Sequence, residues 1–277
     1  MITRFKQIIH RYVPRRAVNA IWNLSSDVFD LPARLRDRRP RPWRIIHNIG
    51  GGDFHLQGDR LFTVFRDAVE LRPDHHVLDI GCGAGRLAFP IGAHLNAEGR
   101  YTGFDIAPAG LKFARRHVQS AAPMEFIHAD LNNPEYRQAG QSAAQYRFPV
   151  EDASIESAIS TSVFTHIDAA TAEAYVKELG RVLRPGGRAM ITAFIVDDDA
   201  RERLQSGQAR LAMTRIDDQS WAADPRHPER AIGFEHNVFA HWYESAGLAL
   251  DHAIKRGWWS YAHNEGEYQD VLVLRRV

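Results

Sequence analysis

The sequence is poor in the features that mark several large classes of protein. Its 277 residues include a single cysteine, Cys82, so no disulfide can form within the chain. No apolar run approaches the roughly 20 residues that span a bilayer. The N-terminus lacks the apolar core of a secretory leader. A cytoplasmic protein is the resulting expectation. Net charge is only +1, so the chain as a whole carries no strong nucleic-acid signature. No internal repeat or low-complexity tract appears. What is present is an ordinary soluble composition, 44% hydrophobic and 25% charged, at a length suited to one large α/β domain with attachments.

The charge that exists is uneven. Residues 1–48 carry Arg4, Arg11, Arg15, Arg16, Arg34, Arg36, Arg38, Arg39, Arg41 and Arg44 against Asp27, Asp30 and Asp37. Ile2, Phe5, Ile8, Ile9 and Tyr12 recur at roughly helical spacing, so this extension reads as a basic, amphipathic helical arm. It either packs one face on the main domain or makes a peripheral contact with an anionic membrane at the cytoplasmic face. A mitochondrial transit peptide is disfavoured, because the Arg-rich pattern runs on into structured-looking sequence. Pro40 and Pro42 close the extension. Residues 49–277 then form the main domain, with 196–232 as an insertion suited to a lid or acceptor-binding element.

Within that domain apolar runs and helical patterns alternate. After the glycine-rich turn Ile49-Gly50-Gly51-Gly52-Asp53-Phe54, residues 61–71 predict a helix, 77–80 a buried strand and 86–94 a helix. Residues 101–105 predict strand two, 109–120 a helix and 124–128 strand three. A polar loop with a short helix is expected over 132–149, strand four over 155–161 and a long helix over 169–183. Pro185-Gly186-Gly187 stops that helix ahead of strand five, 188–196. The insertion reads as charged and mostly helical to about residue 215, then loop-like. A helix over 238–246, ended by Gly247, and strands over 248–255 and 268–274 complete the chain. Such alternation predicts a mostly parallel sheet with helices on both faces, and ligands beyond the carboxyl ends of the strands.

The chemistry concentrates at those strand ends. Asp79-Ile80-Gly81-Cys82-Gly83-Ala84-Gly85-Arg86 places a glycine turn after a buried strand, where a ligand can approach the backbone closely. A dinucleotide site requires a third glycine three positions after the second, beside the pyrophosphate. Arg86 stands there instead, which argues against a nicotinamide oxidoreductase and for a cofactor without a pyrophosphate. Asp105 closes strand two; its carboxylate suits a pair of ribose hydroxyls, with Ile106 as an apolar surface for a base. Asp130, followed by Leu131, closes strand three and suits a base's amino group. Asp79 suits an ammonium. Each acid alone is equally a turn or cap residue; three at successive strand ends beside one glycine turn make a set.

At these residues the chain resembles the class I methyltransferases that use S-adenosylmethionine. The likeness rests on residues 77–86, Phe104-Asp105-Ile106 and Ala129-Asp130-Leu131. It extends to Phe148-Pro149-Val150-Glu151-Asp152, Ser162-Val163-Phe164-Thr165-His166 and Leu183-Arg184-Pro185-Gly186-Gly187. It is good over 49–196 and looser over the last forty residues. It implies a Rossmann-like, seven-stranded sheet whose last strand is antiparallel, and S-adenosyl-L-methionine as cofactor. The cofactor would be held by Asp79, Gly81, Cys82, Gly83, Gly85, Asp105, Ile106, Asp130, Leu131 and Thr161. Ile155-Glu156 departs from the commoner Phe-Asp, with no expected effect on the cofactor.

The acceptor is less marked. Ser160-Thr161-Ser162-Val163-Phe164 lacks the Asn/Asp-Pro-Pro-aromatic segment of the amino methyltransferases. A cytosine C5 mechanism has no cysteine nucleophile, because Cys82 sits in the cofactor turn. No His, Cys and Asp cluster has metal-ligand spacing. His166, just past strand four, is the candidate general base for a hydroxyl, the alternative being a histidine that packs or caps the next helix. His236 and His241 are weaker candidates. The upstream glycine-rich segment resembles a subgroup associated with glycan synthesis, and Gly257-Trp258-Trp259-Ser260-Tyr261-Ala262-His263 suits either sugar stacking or a packed connection. The expected partner is therefore a small-molecule, sugar or glycan hydroxyl. The rivals are an RNA or protein methyltransferase gripping through the basic arm, which requires salt-sensitive binding, and a non-catalytic S-adenosylmethionine-binding module.

Overall fold

The computed structural model describes residues 39–43, 53–132, 140–261 and 266–277. The basic arm up to residue 38, the Gly50-Gly51-Gly52 turn, part of the 132–149 loop and the end of the Trp-rich stretch lie outside the described residues.

In chain order the elements are α1 (Phe54–Val69), β1 (His76–Ile80), α2 (Ala88–His94), β2 (Arg100–Asp105), α3 (Pro108–His117), β3 (Met124–His128), β4 (Leu131–Asn132), β5 (Gln141–Ser142), β6 (Ile155–Ser160), α4 (Ala169–Val182), β7 (Leu183–Ala193), β8 (Ile195–Val196), α5 (Asp198–Gln205), β9 (Thr214–Arg215), β10 (Ser220–Ala222), β11 (Ile232–Glu235), α6 (His236–Ser245), β12 (Leu248–Leu250) and β13 (Asp270–Arg276). The main sheet has seven strands in the order β12-β13-β7-β6-β1-β2-β3. β1, β2, β3, β6 and β7 run parallel, and β13 is antiparallel to both β7 and β12. β1 pairs with β2 on one side and β6 on the other, so the chain changes direction across the sheet at β1. In an open α/β sheet the crevice beyond that point is where ligands bind.

Local chemistry explains the boundaries. Asp53 caps α1, its Oδ1 accepting from the backbone N–H of His55 at 3.0 Å and Leu56 at 2.9 Å. The helix therefore begins at Phe54, ahead of the apolar repeat that predicts a start at 61. Its first turns look polar in sequence because they pack on a loop: a Cβ at Gly58 would lie 2.4 Å from the carbonyl oxygen of Arg86. Asp53→Ala is expected to destabilise the fold by about 1 kcal/mol, from loss of the cap; thermal unfolding measures it. Asp168 caps α4 in the same manner, accepting from Thr171 N–H at 2.8 Å.

Two expectations are corrected. β7 starts at Leu183, and Pro185-Gly186-Gly187 forms an irregularity within it, where pairing with β6 slips from Ile155↔Leu183 to Ser157↔Arg188. The strand ends at Ala193, because Ile195–Val196 turns away to pair with β11. Residues 197–215 are not mostly helical, because the helix ends at Gln205. α5 is followed by loop that carries the short strands β9 and β10 and a 3-10 turn at Pro228–Arg230, and these strands join β8 and β11 in a second sheet of order β8-β11-β10-β9. The buried side chains of Trp221, Ala222, Ile232 and Phe234 drive this, and Glu235 anchors it by accepting from Trp221 Nε1 at 2.9 Å and Arg201 Nη2 at 2.7 Å. Among the described residues no helix is long and apolar enough to cross a membrane.

Candidate active site

One cavity of about 1090 Å³ opens at the carboxyl ends of β1, β2 and β6. It exceeds the roughly 300–1,000 Å³ of a pocket for one small ligand, which leaves room for a cofactor and an acceptor together. Asp79, Gly81, Cys82, Gly83, Asp105, Ile106, Leu131, Thr161 and His166 all line it. Gly85 and Asp130, two of the expected cofactor residues, do not. Gly85 faces Ala114 and Val118, where an added Cβ would come within 3.0 Å of Ala114, so it seats the turn on α3 and its C-terminal end. Asp130 is exposed, and the wall beyond β3 is formed by Leu131 and Asn132 instead.

The turn is built by hydrogen bonds that engage the amides of Gly81, Cys82, Gly83 and Gly85 within the protein. Gly81 and Cys82 N–H both donate to Phe104 O, at 2.9 and 3.1 Å, joining the ends of β1 and β2. Gly81 has φ +77°, and a Cβ there would lie 2.4 Å from Val163 Cγ2, so only glycine satisfies both the turn and its close neighbour. Asp105 completes the frame: Oδ2 accepts from Gly83 N–H at 2.8 Å and Oδ1 from Ala107 N–H at 2.7 Å. An ionised carboxylate has about four acceptor positions. Gly83, Ala107 and Ile106 N–H use part of this capacity, and what remains is open to a hydroxyl donor. Burial pushes the Asp105 carboxyl up despite these donors. The residues present thus fit a nucleoside, with Ile106, Leu131 and Ala143 as apolar wall for its base.

Asp79 is buried beneath the turn and accepts from the Tyr101 hydroxyl at 2.8 Å, a partner that strand spacing alone does not reveal. Burial raises its carboxyl from an ordinary 3.8 to about 7, opposed by that hydrogen bond; Asp105 raises it further and Arg86 lowers it. The folded-state value lies above the unfolded one, so this group stabilises the ligand-free fold fully below about 4 and loses that contribution as pH rises through about 7. A bound ammonium favours the ionised form. Affinity for a ligand carrying one is therefore expected to increase as pH climbs through 7, with net proton release on binding. Calorimetry in buffers of different ionisation enthalpy measures this; affinity independent of pH would remove Asp79 from the ammonium's role.

His166 lies in the loop after β6. Its Nδ1 is 2.9 Å from Glu229 O. A carbonyl only accepts, so Nδ1 carries the hydrogen, and in the neutral ring Nε2 is the acceptor. Glu229 belongs to the 3-10 turn of the insertion, and Ile232 N–H donates to Thr165 O at 3.0 Å beside it. No residue of 196–232 lines the cavity among the described residues, so the insertion reaches the site through these backbone contacts. Around His166 is a hydroxyl-rich wall. Ser162 Oγ and Thr192 Oγ1 donate to Gln269 Oε1 at 3.1 and 2.5 Å, and Gln269 Nε2 donates to Thr165 Oγ1 at 3.4 Å. Ser162 holds φ +59°, an uncommon conformation for a non-glycine residue and one often found at functional sites.

Sequence reasoning missed Gln57 and Arg60 from α1 and Glu267 and Tyr268 from the segment joining β12 to β13, all of which line the cavity together with Trp258 of the Trp-rich stretch. Asp270 fixes that segment. It is buried, with its carboxyl pushed up to about 6 by burial, and accepts from Gly257 N–H, Ile195 N–H and Trp259 Nε1 at 2.7, 2.8 and 2.9 Å. Only the Trp-rich composition signalled this wall. Among the described residues no group of three or more His, Cys, Asp or Glu is placed to hold a metal ion.

Comparison with known proteins agrees with this geometry. Residues 77–187, which hold the glycine turn, Asp105 and His166, match the model of a methyltransferase domain. The chain is 28% identical over 160 residues to a tRNA N(3)-cytidine methyltransferase of Gallus gallus, covering 57% of this chain and 40% of that protein. It is 27% identical over 143 residues to an O-methyltransferase of Pyrenophora dematioidea, covering 52% and 48%. It spans only about a third to a half of the length of the curated relatives it matches. In fold it is similar to an S-adenosylmethionine-dependent methyltransferase of Methanosarcina mazei, with a TM-score of 0.51, 19% identity, and coverage of 75% of this chain and 94% of that one. Residues 77–187 thus match a methyltransferase domain, and the strand order with its antiparallel β13 gives the chain the fold of S-adenosylmethionine-dependent methyltransferases.

Proposed function

We propose that the protein transfers a methyl group from S-adenosylmethionine to a hydroxyl of a small molecule, sugar or glycan. The observation that carries the hydroxyl is His166, a residue of the cavity wall whose Nδ1 is held by Glu229 O at 2.9 Å, which makes Nε2 the acceptor nitrogen of the neutral ring. When bound, the cofactor supplies a methyl already activated on a sulfonium. The protein's part is then to position and desolvate the two reactants and to take the hydroxyl's proton. Asp105 and the Gly81–Gly83 turn hold the nucleoside, and Nε2 of His166 receives the proton as the new O–C bond forms. The Ser162, Thr192 and Gln269 cluster offers hydrogen bonds to an acceptor rich in hydroxyls, and Trp258 and Tyr268 offer it apolar ring surface. The resemblance to an O-methyltransferase supports the same reading.

The direct test is a radiolabelled methyl-transfer screen against sugars, glycans, lipids and RNA. Label in a hydroxylated acceptor as a base-stable, amine-free product is the expected result. Label in RNA alone, with binding that weakens steeply as salt rises, would replace this reading with that of a nucleic-acid enzyme.

A further inference from the structure

The hydroxyl-rich wall that includes His166 has a fixed direction of hydrogen bonding, and that direction restricts what can bind to it. Ser162 N–H donates to Thr192 Oγ1 at 2.8 Å, which uses a lone pair of that oxygen. The hydroxyl hydrogen of Thr192 goes to Gln269 Oε1 at 2.5 Å, and that of Ser162 goes to the same oxygen at 3.1 Å. A carboxamide oxygen has two lone pairs, so these two donors fill Oε1. One N–H of Gln269 Nε2 reaches Thr165 Oγ1 at 3.4 Å, on the residue just before His166. The second N–H remains to donate. Ser162 Oγ, its hydrogen spent, remains to accept. Ser162, Thr192, Gln269 and His166 all line the cavity. The backbone supports this arrangement. Ser162 holds φ +59°, a cost that the bonds of its N–H and its Oγ both offset. Thr192 is buried on β7, and Gln269 directly precedes β13, whose Asp270 is in register with Ala193.

One donor and one acceptor left over in a single hydrogen-bonded cluster suit a group with both capacities. A carbonyl or an ether only accepts, and an ammonium only donates; a hydroxyl does both from one oxygen. The hydroxyl that gives its proton to His166 cannot serve here, because its hydrogen is directed at Nε2. We propose that Ser162 and Gln269 bind a second hydroxyl of the methyl acceptor, and so make the site specific for polyols over acceptors with a single hydroxyl. Ser162 Oγ accepts the hydrogen of this second hydroxyl, and Gln269 Nε2 donates to its oxygen. No bond is made or broken there; the pair orients the acceptor so that its other hydroxyl meets His166. An acceptor without the second hydroxyl leaves both groups of the wall unpaired, and the discrimination arises from that loss. This rests on the reading of the protein as a methyltransferase acting on hydroxyls.

The test is radiolabelled methyl transfer by the full chain to methyl glucoside, methyl rhamnoside and glycerol monooctyl ether, each set beside counterparts in which one hydroxyl is replaced by hydrogen. Wild-type protein is expected to favour a labelled polyol over one of its deoxy counterparts by roughly tenfold to a hundredfold in kcat/KM, the cost of leaving the wall's donor and acceptor unpaired. In Gln269→Glu the carboxylate still accepts from Ser162 and Thr192 but has no N–H to donate. The preference is expected to collapse toward parity in this variant, with affinity for S-adenosylhomocysteine as in wild type. A merely structural role would slow transfer to every probe alike and leave the preference as it was. That result overturns the proposal, as does a wild type that labels a polyol and all its deoxy counterparts equally. If Gln269→Glu fails to fold, Ser162→Ala decides. It removes Oγ and keeps the N–H bond to Thr192, so a reduced preference supports the assignment where an unchanged one overturns it. Label in no hydroxyl of any probe, with S-adenosylhomocysteine still bound, would instead defeat the hydroxyl reading itself and this proposal with it.

Discussion

His166→Ala is expected to lower kcat by about 10²–10⁴-fold, the usual contribution of a positioned general base, with unchanged affinity for S-adenosylhomocysteine. The direction follows from what the ring touches. Its Nδ1 is committed to Glu229 O, a contact within the protein, and its backbone N–H donates to Val163 O within the same loop. Removing it leaves Asp105 and the Gly81 and Gly83 backbone in place, so the contacts proposed for the nucleoside are expected to persist. Single-turnover rates against an acceptor found in the methyl-transfer screen, set beside calorimetric affinities, separate the two quantities. Lost affinity for S-adenosylhomocysteine with an unchanged rate would remove His166 as the base. His166→Gln adds a further check, because a glutamine can restore a hydrogen bond to Glu229 O without supplying a basic nitrogen. It is expected to be as slow as the alanine variant while keeping the fold around the insertion.

Asp105→Ala is expected to weaken cofactor binding by about 1.5–3 kcal/mol, roughly ten- to 150-fold. Two losses combine. The acceptor capacity proposed for the ribose hydroxyls disappears, and Gly83 and Ala107 N–H lose the carboxylate that fixes the turn. Asp105→Asn keeps the shape but has a single carbonyl oxygen, so it can satisfy one of the two backbone donors and presents an N–H to the other. An affinity below that of wild type is expected for both variants. Calorimetry with S-adenosylhomocysteine measures this, and an affinity unchanged in Asp105→Ala would move the ribose elsewhere. Val77, Leu78 and Ile80 are buried on strand β1, so the strand itself is expected to survive either change.

These expectations draw on features of unequal legibility. β1, its glycine turn and Asp105 were readable because their signals are local: a short apolar run, glycines where side chains would collide, and an acid at the next strand's end. Arg86 argues against a pyrophosphate from sequence alone, yet its contacts with Gln57 and Gly58 depend on a helix whose polar first turns concealed it. The insertion misled, because Asp198, Asp199, Arg201 and Arg203 read as a long charged helix. In the structure the helix is short, and Trp221, Ile232 and Phe234 organise a small sheet. Glu229, which sets the hydrogen on His166, lies 63 residues away along the chain, and no local pattern connects the two. The wall bearing Trp258, Glu267 and Tyr268 is likewise fixed from a distance, through Asp270 and its bonds to Ile195, Gly257 and Trp259.

The account stands or falls most directly on the occupant of the cavity at the end of β1. Titration of S-adenosylhomocysteine and of NAD into the protein, followed by calorimetry, decides it. Saturable one-to-one binding of S-adenosylhomocysteine, weakened in Asp105→Ala, with no heat from NAD, is the predicted result. Binding of NAD with none of S-adenosylhomocysteine would contradict it.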